Sequence, residues 1–409
     1  MESALESSDH TITLLDGSTQ TYHLRSLTED DITRWSEFCA SIFSYKPNPP
    51  PSSYFARHYH NDPRRDASLI RVLIHCPNNT MEERQNGEIV SSVRIFRRTL
   101  SAPDQYRTIE AGGIGEVCTS TNHQRRGLSK LLLKDALHIM STSCKSEDNG
   151  MECSLLHANP DFRPVYNKVG GYQSVKSEWS VVSIELKHLA TINTFHARSD
   201  GWAIRQADFP QGYYQQDIEQ LHCIHKSYSE ERFITVKRSK QYWKEYVSAE
   251  LGDTLWVLAH PDFDDCEYTE VKAWMSIRKR GDRYQLREFG YDTLSHNEDY
   301  NEDYDISVSN CFGILLGGAL EQAGESVGVK KKAELVLPTF ILSDIKEECD
   351  KTGEATPSYM NIKEVSEEND NGWMYVNFND GSSSRQSILE LTTRESSPLP
   401  HLIWPTDSF

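Results

Sequence analysis

The chain has 409 residues, 61 of them acidic and 43 basic, for a formal net charge of −18. That balance excludes broad nucleic-acid binding, which needs basic surface, and 37% hydrophobic with 25% charged residues describes a globular chain. No apolar run approaches the roughly 18 residues of a membrane span, and the first residues lack the basic and apolar regions of a signal peptide. Nine cysteines fall in no paired or C-x-x-C spacing. A reducing compartment, cytoplasmic or nuclear, is expected, and the length accommodates two or three domains.

Taken in order, residues 11–24 include a short strand, Thr11–Leu15. Thr28-Glu-Asp-Asp31 then caps a helix whose apolar face is Ile32, Trp35, Cys39 and Ile42. Pro47–Pro51 reads as a loop. Strands are expected at Leu69–His75, Ile89–Phe96 and Ile114–Thr119. The last of these ends in Gln124-Arg-Arg-Gly-Leu-Ser129, which opens an amphipathic helix burying Leu128, Leu131, Leu132, Ala136, Leu137 and Met140. Such a turn aims free backbone N–H groups and the positive end of a helix dipole at one point, as a pyrophosphate cradle does. Arg125 and Arg126 add charge there, and Gly127 removes a side chain where a ligand approaches. The Lys-Ser/Thr of a P-loop and the G-x-G-x-x-G of a dinucleotide fold are absent. Strands at Ser154–His157 and Val175–Leu186 complete a mixed α/β unit over residues 1–190.

A second unit, 200–343, repeats helices, strands and a helix without its own Gly/Arg turn. Its helices are read at Asp217–Tyr228, from Val236 to Val247 and over Ser309–Ala323, and its strands at Leu255–His260, Val271–Arg278, Tyr284–Tyr291 and Ala333–Leu342. Residues 344–372 are polar and read as a linker. Residues 373–409 hold strand-like segments (Trp373–Phe378, Ser387–Leu391) and an apolar tail with Leu402, Ile403, Trp404 and Phe409, expected to dock on the first unit near its active site. The tandem repeat Asn297–Tyr300 and Asn301–Tyr304 lacks the glycine and glutamate spacing of an EF-hand and reads as a solvated acidic loop. No metal is expected.

Gln124–Ser129 resembles the Q/R-x-x-G-x-G/A signature of the GNAT superfamily of N-acetyltransferases, with Ser129 in place of the last small residue. About 30 residues on, Leu156-His-Ala-Asn159 and Tyr166-Asn-Lys-Val-Gly170 resemble that family's L-x-A-N and Y-x-K-x-G segments. The resemblance implies a GNAT acyl-CoA N-acyltransferase fold, with a degenerate second GNAT-like domain and a C-terminal region. It implies acetyl-CoA as co-substrate, held by Val117, Cys118, Thr119, Gln124, Arg125, Arg126, Gly127, Leu128, Ser129 and Asn159. Tyr166 would protonate the departing thiolate, which suits a phenol with a pKa of about 10.

An ammonium cannot attack a thioester until it loses a proton, so a base is needed. Glu116, on the strand beside the thioester, is the first candidate; a one-residue slip in register would turn it to the other face. His157 is the second, though as a residue of the core it would be structural. The third is the terminal carboxylate of Phe409, because the layout is similar to the bacterial enhanced-intracellular-survival acetyltransferases, in which the chain end is the base. The segment Arg394–Trp404 also resembles the tail of fungal lysine N-acetyltransferases. Three functions compete: N-acetylation of a small amine such as lysine, a polyamine or an aminoglycoside; acetylation of protein lysines or N-termini; and non-catalytic CoA binding. An intact turn together with Tyr166 argues against the third.

Overall fold

The computed structural model describes residues 7–46, 48–102, 107–143, 150–189, 201–207, 215–232, 234–261, 269–293, 306–325, 327, 331–352, 357–368, 370, 372–378 and 402–407. The first unit begins with strands β1 (Ser8–Thr13) and β2 (Thr19–Ser26) and helices α1 (Ile32–Ile42) and α2 (Ser52–His60). It continues with β3 (Ile70–His75), helix α3 (Met81–Asn86), β4 (Ile89–Ala102), β5 (Arg107–Thr119), α4 (Leu128–Ser143), β6 (Cys153–His157), α5 (Arg163–Gly170) and β7 (Gln173–Ser174). The predicted cap forms: Asp31 Oδ2 accepts from the Thr28 backbone N–H at 3.0 Å, and α1 buries Ile32, Trp35 and Cys39. Helix α4 covers the sheet with Leu128, Leu132, Ala136 and Met140, which repeat at four residues and so share one face. Leu131 and Leu137 are half-buried at its margin.

The second unit holds β8 (Trp179–Glu185), β9 (Ala203–Gln206), α6 (Gln215–Ile224), a helical run over 240–251 that we call α7, β10 (Leu255–Pro261), β11 (Thr269–Arg280) and β12 (Arg283–Tyr291). It ends with α8 (Val308–Gln322), β13 (Lys332–Pro338), α9 (Thr339–Thr352) and β14 (Met360–Glu367), after which β15 (Trp373–Asn377) follows. The chain thus makes two mixed sheets, ordered β1-β2-β3-β4-β5-β6-β15-β7 and β14-β8-β13-β12-β11-β10-β9.

The two sheets share a topology. In the first, hairpin β4–β5 is followed by α4 and by β6, parallel to β5. In the second, hairpin β11–β12 is followed by α8 and by β13, parallel to β12. Each parallel contact spans three register pairs, Ala111–Gly113 against Cys153–Leu155 and Arg283–Gln285 against Glu334–Val336.

Four expectations are corrected. Strand β8, assigned by sequence to the first unit, pairs with β13 and β14 in the second sheet. The segment read as a linker holds most of α9 and the strand β14. Of its described residues Lys346, Glu347, Asp350 and Lys351 are exposed, while Ile341, Leu342, Ile345, Cys349 and Met360 are buried. The helix read from Val236 starts at Lys240, because Val236 bridges Leu100 of β4. Three backbone bonds extend that contact: Ser101 N–H to Thr235 O (2.8 Å), Ile234 N–H to Ser101 O (3.0 Å) and Lys237 N–H to Thr99 O (2.8 Å). The strand read to Leu342 stops at Pro338, where α9 takes over.

The tail docks, but differently from expectation. Leu402 and Trp404 pack in the core of the second unit. Ile403 alone reaches the cluster that Leu100, Ile109 and Leu155 form on the first sheet. Asp407 is fully buried and binds Arg238 and Tyr242. Phe409, Ser387–Leu391 and the acidic repeat 297–304 lie outside the described residues. Among the described residues no helix is long and apolar enough to cross a membrane.

Candidate active site

Two irregularities of β5 create the site. Its ladder with β6 stops at Gly113–Leu155, although β5 runs on to Thr119. The strands therefore splay, and the backbone groups of β5 beyond residue 113 line a slot on that side. Polar backbone groups in such a slot need partners, which water or an extended amide-bearing ligand can supply. On the other side, the β4–β5 register shifts between Ser92 and Arg94, from Cys118 to Gly115. One extra residue is accommodated in β5 as a bulge, with Glu116 at φ 52°. The bulge settles the register question: it turns Glu116 towards α2.

The turn after β5 carries two left-handed residues, Arg125 (φ 60°) and Gly127 (φ 78°). A Cβ on Gly127 would meet no protein atom within 4 Å, so glycine is required there by the backbone and the space above it is open. Arg125 is exposed and has no ionic partner among the described residues. Arg126, expected beside phosphates, turns inward. It donates to Gln20 Oε1, to the Tyr22 hydroxyl (2.7 Å) and to the Asn122 carbonyl (2.6 Å). Its guanidinium pins the turn to β2, and only its backbone N–H is left for a ligand. Cys118 and Thr119 likewise face protein, Cys118 Sγ at 4.0 Å from Cys39 Sγ and Thr119 Oγ1 at 2.8 Å from Ser91 Oγ. Val117 packs partly against the α4 core, Leu128 is buried, Ser129 half-buried and Gln124 exposed. Gln124 Nε2 donates to Thr119 O at 3.3 Å and closes the turn. Gly127→Glu puts bulk and negative charge into the open space, and should abolish acetyl-CoA binding by calorimetry while circular dichroism stays native; unchanged affinity would show that the turn is not the cradle.

Glu116 is the centre of a buried polar cluster. Its side chain is 7% exposed, and Oε1 lies 3.2 Å from His58 Nδ1 and 3.6 Å from Arg94 Nη1. His58 Nε2 meets the Tyr246 hydroxyl of α7, in the second unit. Burial pushes the Tyr246 phenol well above its ordinary value, so the hydroxyl keeps its proton. It then donates to Nε2, which places the imidazole proton on Nδ1, aimed at Glu116. Glu116 Oε2 is buried with no hydrogen-bond partner among the described residues, an arrangement that costs energy unless a ligand or water completes it. Asp62 accepts from Arg94 (3.2 Å) and Arg98 (3.0 Å). Burial alone would raise its carboxyl; the two guanidinium groups more than offset this and hold it below the usual value.

Sequence reasoning missed His58, Asp62, Arg94 and Tyr246. Helix α2 had a readable signal, since Phe55, His58 and Tyr59 at i, i+3 and i+4 form one buried face. Nothing local to Tyr246 announced its contact with a residue 188 positions away.

Tyr166 stands in the middle of α5, partly buried, edge-on to Tyr172 with ring centroids 6.2 Å apart. Burial raises its phenol, keeping it protonated. Asn159 is exposed, and its Oδ1 accepts from the Asp161 N–H at 3.1 Å in the turn that leads into α5. His157 is not a core residue: it is exposed, lies edge-on to Trp373 and pairs with Asp370 at 2.8 Å.

Between the two units lies a cavity of about 390 Å³. Arg64, Arg97, Arg98, Lys226, Lys237 and Arg238 line it against one carboxylate, Glu230. Arg97 Nε is buried without a hydrogen-bond partner among the described residues. Tyr242 and Arg98 also line the cavity, and through Asp62 Arg98 adjoins the Glu116 cluster.

Residues 23–173 match the family described as acetyltransferase (GNAT) domain. No curated protein matches the chain. Among solved structures, the chain is similar to a probable N-acyltransferase from Enterococcus faecalis V583, with 12% identity, a TM-score of 0.54 and coverage of 88% of this chain and 73% of that one. A GCN5-related N-acetyltransferase from Anabaena variabilis has 9% identity, a TM-score of 0.53 and the same coverage. Eis1 from Mycobacterium abscessus has 12% identity, a TM-score of 0.48 and coverage of 87% and 73%. At these identities the likeness is one of fold.

Proposed function

We propose that the chain, whose residues 23–173 match the acetyltransferase (GNAT) domain family, is an acyltransferase that transfers acetyl from acetyl-CoA to a primary amine of a small molecule. The observation that carries this reading is the buried, half-satisfied carboxylate of Glu116 beside the splayed strands. The donor supplies an activated acyl group as a thioester. The backbone of Val117–Thr119 and of the Gln124–Ser129 turn would hold it, with Arg125 the side chain free to meet a phosphate. Glu116 Oε2 accepts the proton of the acceptor ammonium, while Oε1 stays fixed by His58 and, behind it, Tyr246. The resulting amine is the nucleophile. Tyr166 returns a proton to the departing thiolate. The terminal carboxylate of Phe409 lies outside the described residues, and Glu116 is the simpler base.

The cationic cavity favours lysine over a polyamine. Arg94 and Arg98 lie on one face of β4, four residues or about 13 Å apart. A short acceptor with its amine at Glu116 would turn its other end towards the cavity, and a carboxylate suits that end. An assay of CoA release with lysine against cadaverine, and ornithine against putrescine, compares molecules that differ only in the carboxylate. The amino acid of each pair should be preferred. Arg97→Ala should raise its KM by roughly 10-fold, the worth of one hydrogen bond to a charged group, and leave the diamines unaffected. Equal use of both members would refute the carboxylate contact, and no release with any amine would refute small-molecule acetylation.

Tyr166→Phe should lower kcat by roughly 10²-fold, at the low end for a proton donor, because a thiolate of pKa about 8.5 is already a good leaving group. Affinity for acetyl-CoA should not change. Wild-type kcat in this variant would remove the acid role.

A further inference from the structure

His75, Glu88 and His123 come from three separate segments: the end of β3, the residue before β4, and the turn that leads to α4. One ligand-type atom of each lies within 4.8 Å of the others. The hydrogen bonds around His123 fix which of its nitrogens is available. The Tyr22 hydroxyl donates to Gln20 Oε1 at 2.7 Å. His123 Nδ1 lies 3.1 Å from the Tyr22 oxygen and 3.1 Å from Arg126 Nη1, so Nδ1 is engaged within the protein and Nε2 is the nitrogen left for a ligand. A histidine whose other nitrogen is held by fixed hydrogen-bond partners is oriented as metal-binding histidines are.

We propose that His75, Glu88 and His123 Nε2 bind a divalent transition-metal cation, best suited to Zn2+, which ties the cofactor turn to the β3–β4 edge. Two imidazoles and one carboxylate are a zinc donor set, and water would complete four-coordination. Bonds of about 2.1 Å place tetrahedral ligands about 3.4 Å apart, so the atoms, now within 4.8 Å of one another, must close by up to about 1.4 Å. The exposed Glu88 side chain is free to make that movement. No sequence motif marks the site, because its ligands lie 13 and 35 positions apart, being residues 75, 88 and 123.

The test uses the full chain without a tag, stripped by chelator and titrated with Co2+ and then Zn2+. One equivalent of Co2+ should give the intense visible absorption of a tetrahedral site, and Zn2+ should displace it. Zn2+ should also raise the melting temperature. His75→Gln and Glu88→Gln should each weaken binding by at least about 10-fold, and Tyr22→Phe, which removes one of the groups that hold Nδ1, by about 10–100-fold. Glu88 is exposed, so its variant folds whatever happens to the others. Absence of a one-to-one complex, saturation only at millimolar metal, or unchanged affinity in Glu88→Gln would each overturn the proposal.

Discussion

Glu116→Gln will lower the rate of acetylation by roughly 10²–10⁴-fold while acetyl-CoA binds as before, the range expected when a positioned base is removed. Glutamine keeps the volume and the bond from His58 but cannot accept a proton. The loss should depend on pH in a way that identifies the cause. A lysine-type ammonium has a pKa of about 10.4, so below that value the free amine rises tenfold per pH unit. The variant, which relies on amine already free in solution, should recover towards the wild-type rate as pH approaches 10. Steady-state kinetics from pH 7 to about 10, with acetyl-CoA affinity measured alongside, make the test. A variant equally slow at every pH would mean that Glu116 only holds structure, and an undiminished rate would leave the chain end as base. Extending the chain by one residue beyond Phe409 should cost nothing if Glu116 is the base.

The turn over Gln124–Ser129 and the helix it opens could be read from sequence because their requirements are local. Two left-handed residues, a helix N-terminus and an apolar stripe from Leu128 to Met140 occupy one continuous stretch. The role of Arg126 could not be read, because what decides it is Gln20 and Tyr22, about a hundred positions earlier. The bulge at Glu116 was equally hidden: a register shift is a property of two strands, and a pattern along one strand only sets the alternatives. Strand β8 shows the same limit. Its apolar alternation gives a strand but not a sheet, and pairing with β13, some 150 residues later, decides which one it joins. The polar composition of 344–372 hid α9, which buries only a narrow stripe, and β14, which is set by its pairing with β8 far back in the chain. The Glu116–His58–Tyr246 line is the extreme case, since it crosses between the two units.

Removing Arg238 should be the most destabilising single change in the molecule. Its guanidinium is fully buried between two fully buried carboxylates, Glu288 at 2.6 Å and Asp407 at 2.7 Å. Asp407 belongs to the docked tail and also accepts from Tyr242 at 3.0 Å. With Arg238 in place the group holds one positive and two negative charges. Arg238→Met fills the space but leaves two carboxylates facing each other out of water, and breaking a buried ionic group in this way costs about 3–5 kcal/mol. The sign of the pH dependence follows. Burial already raises the Glu288 carboxyl above its ordinary value, and without the cation it must rise further. A carboxyl whose folded pKa exceeds its unfolded value binds more protons in the folded state, so stability increases as pH falls through the folded pKa. The variant should therefore melt far below wild type at pH 7 and regain part of the difference towards pH 5. Protease sensitivity of residues 402–407 should follow the same curve, because the tail is held by this group. A loss of stability that does not change with pH would show that packing, and not the uncompensated carboxylates, explains the cost.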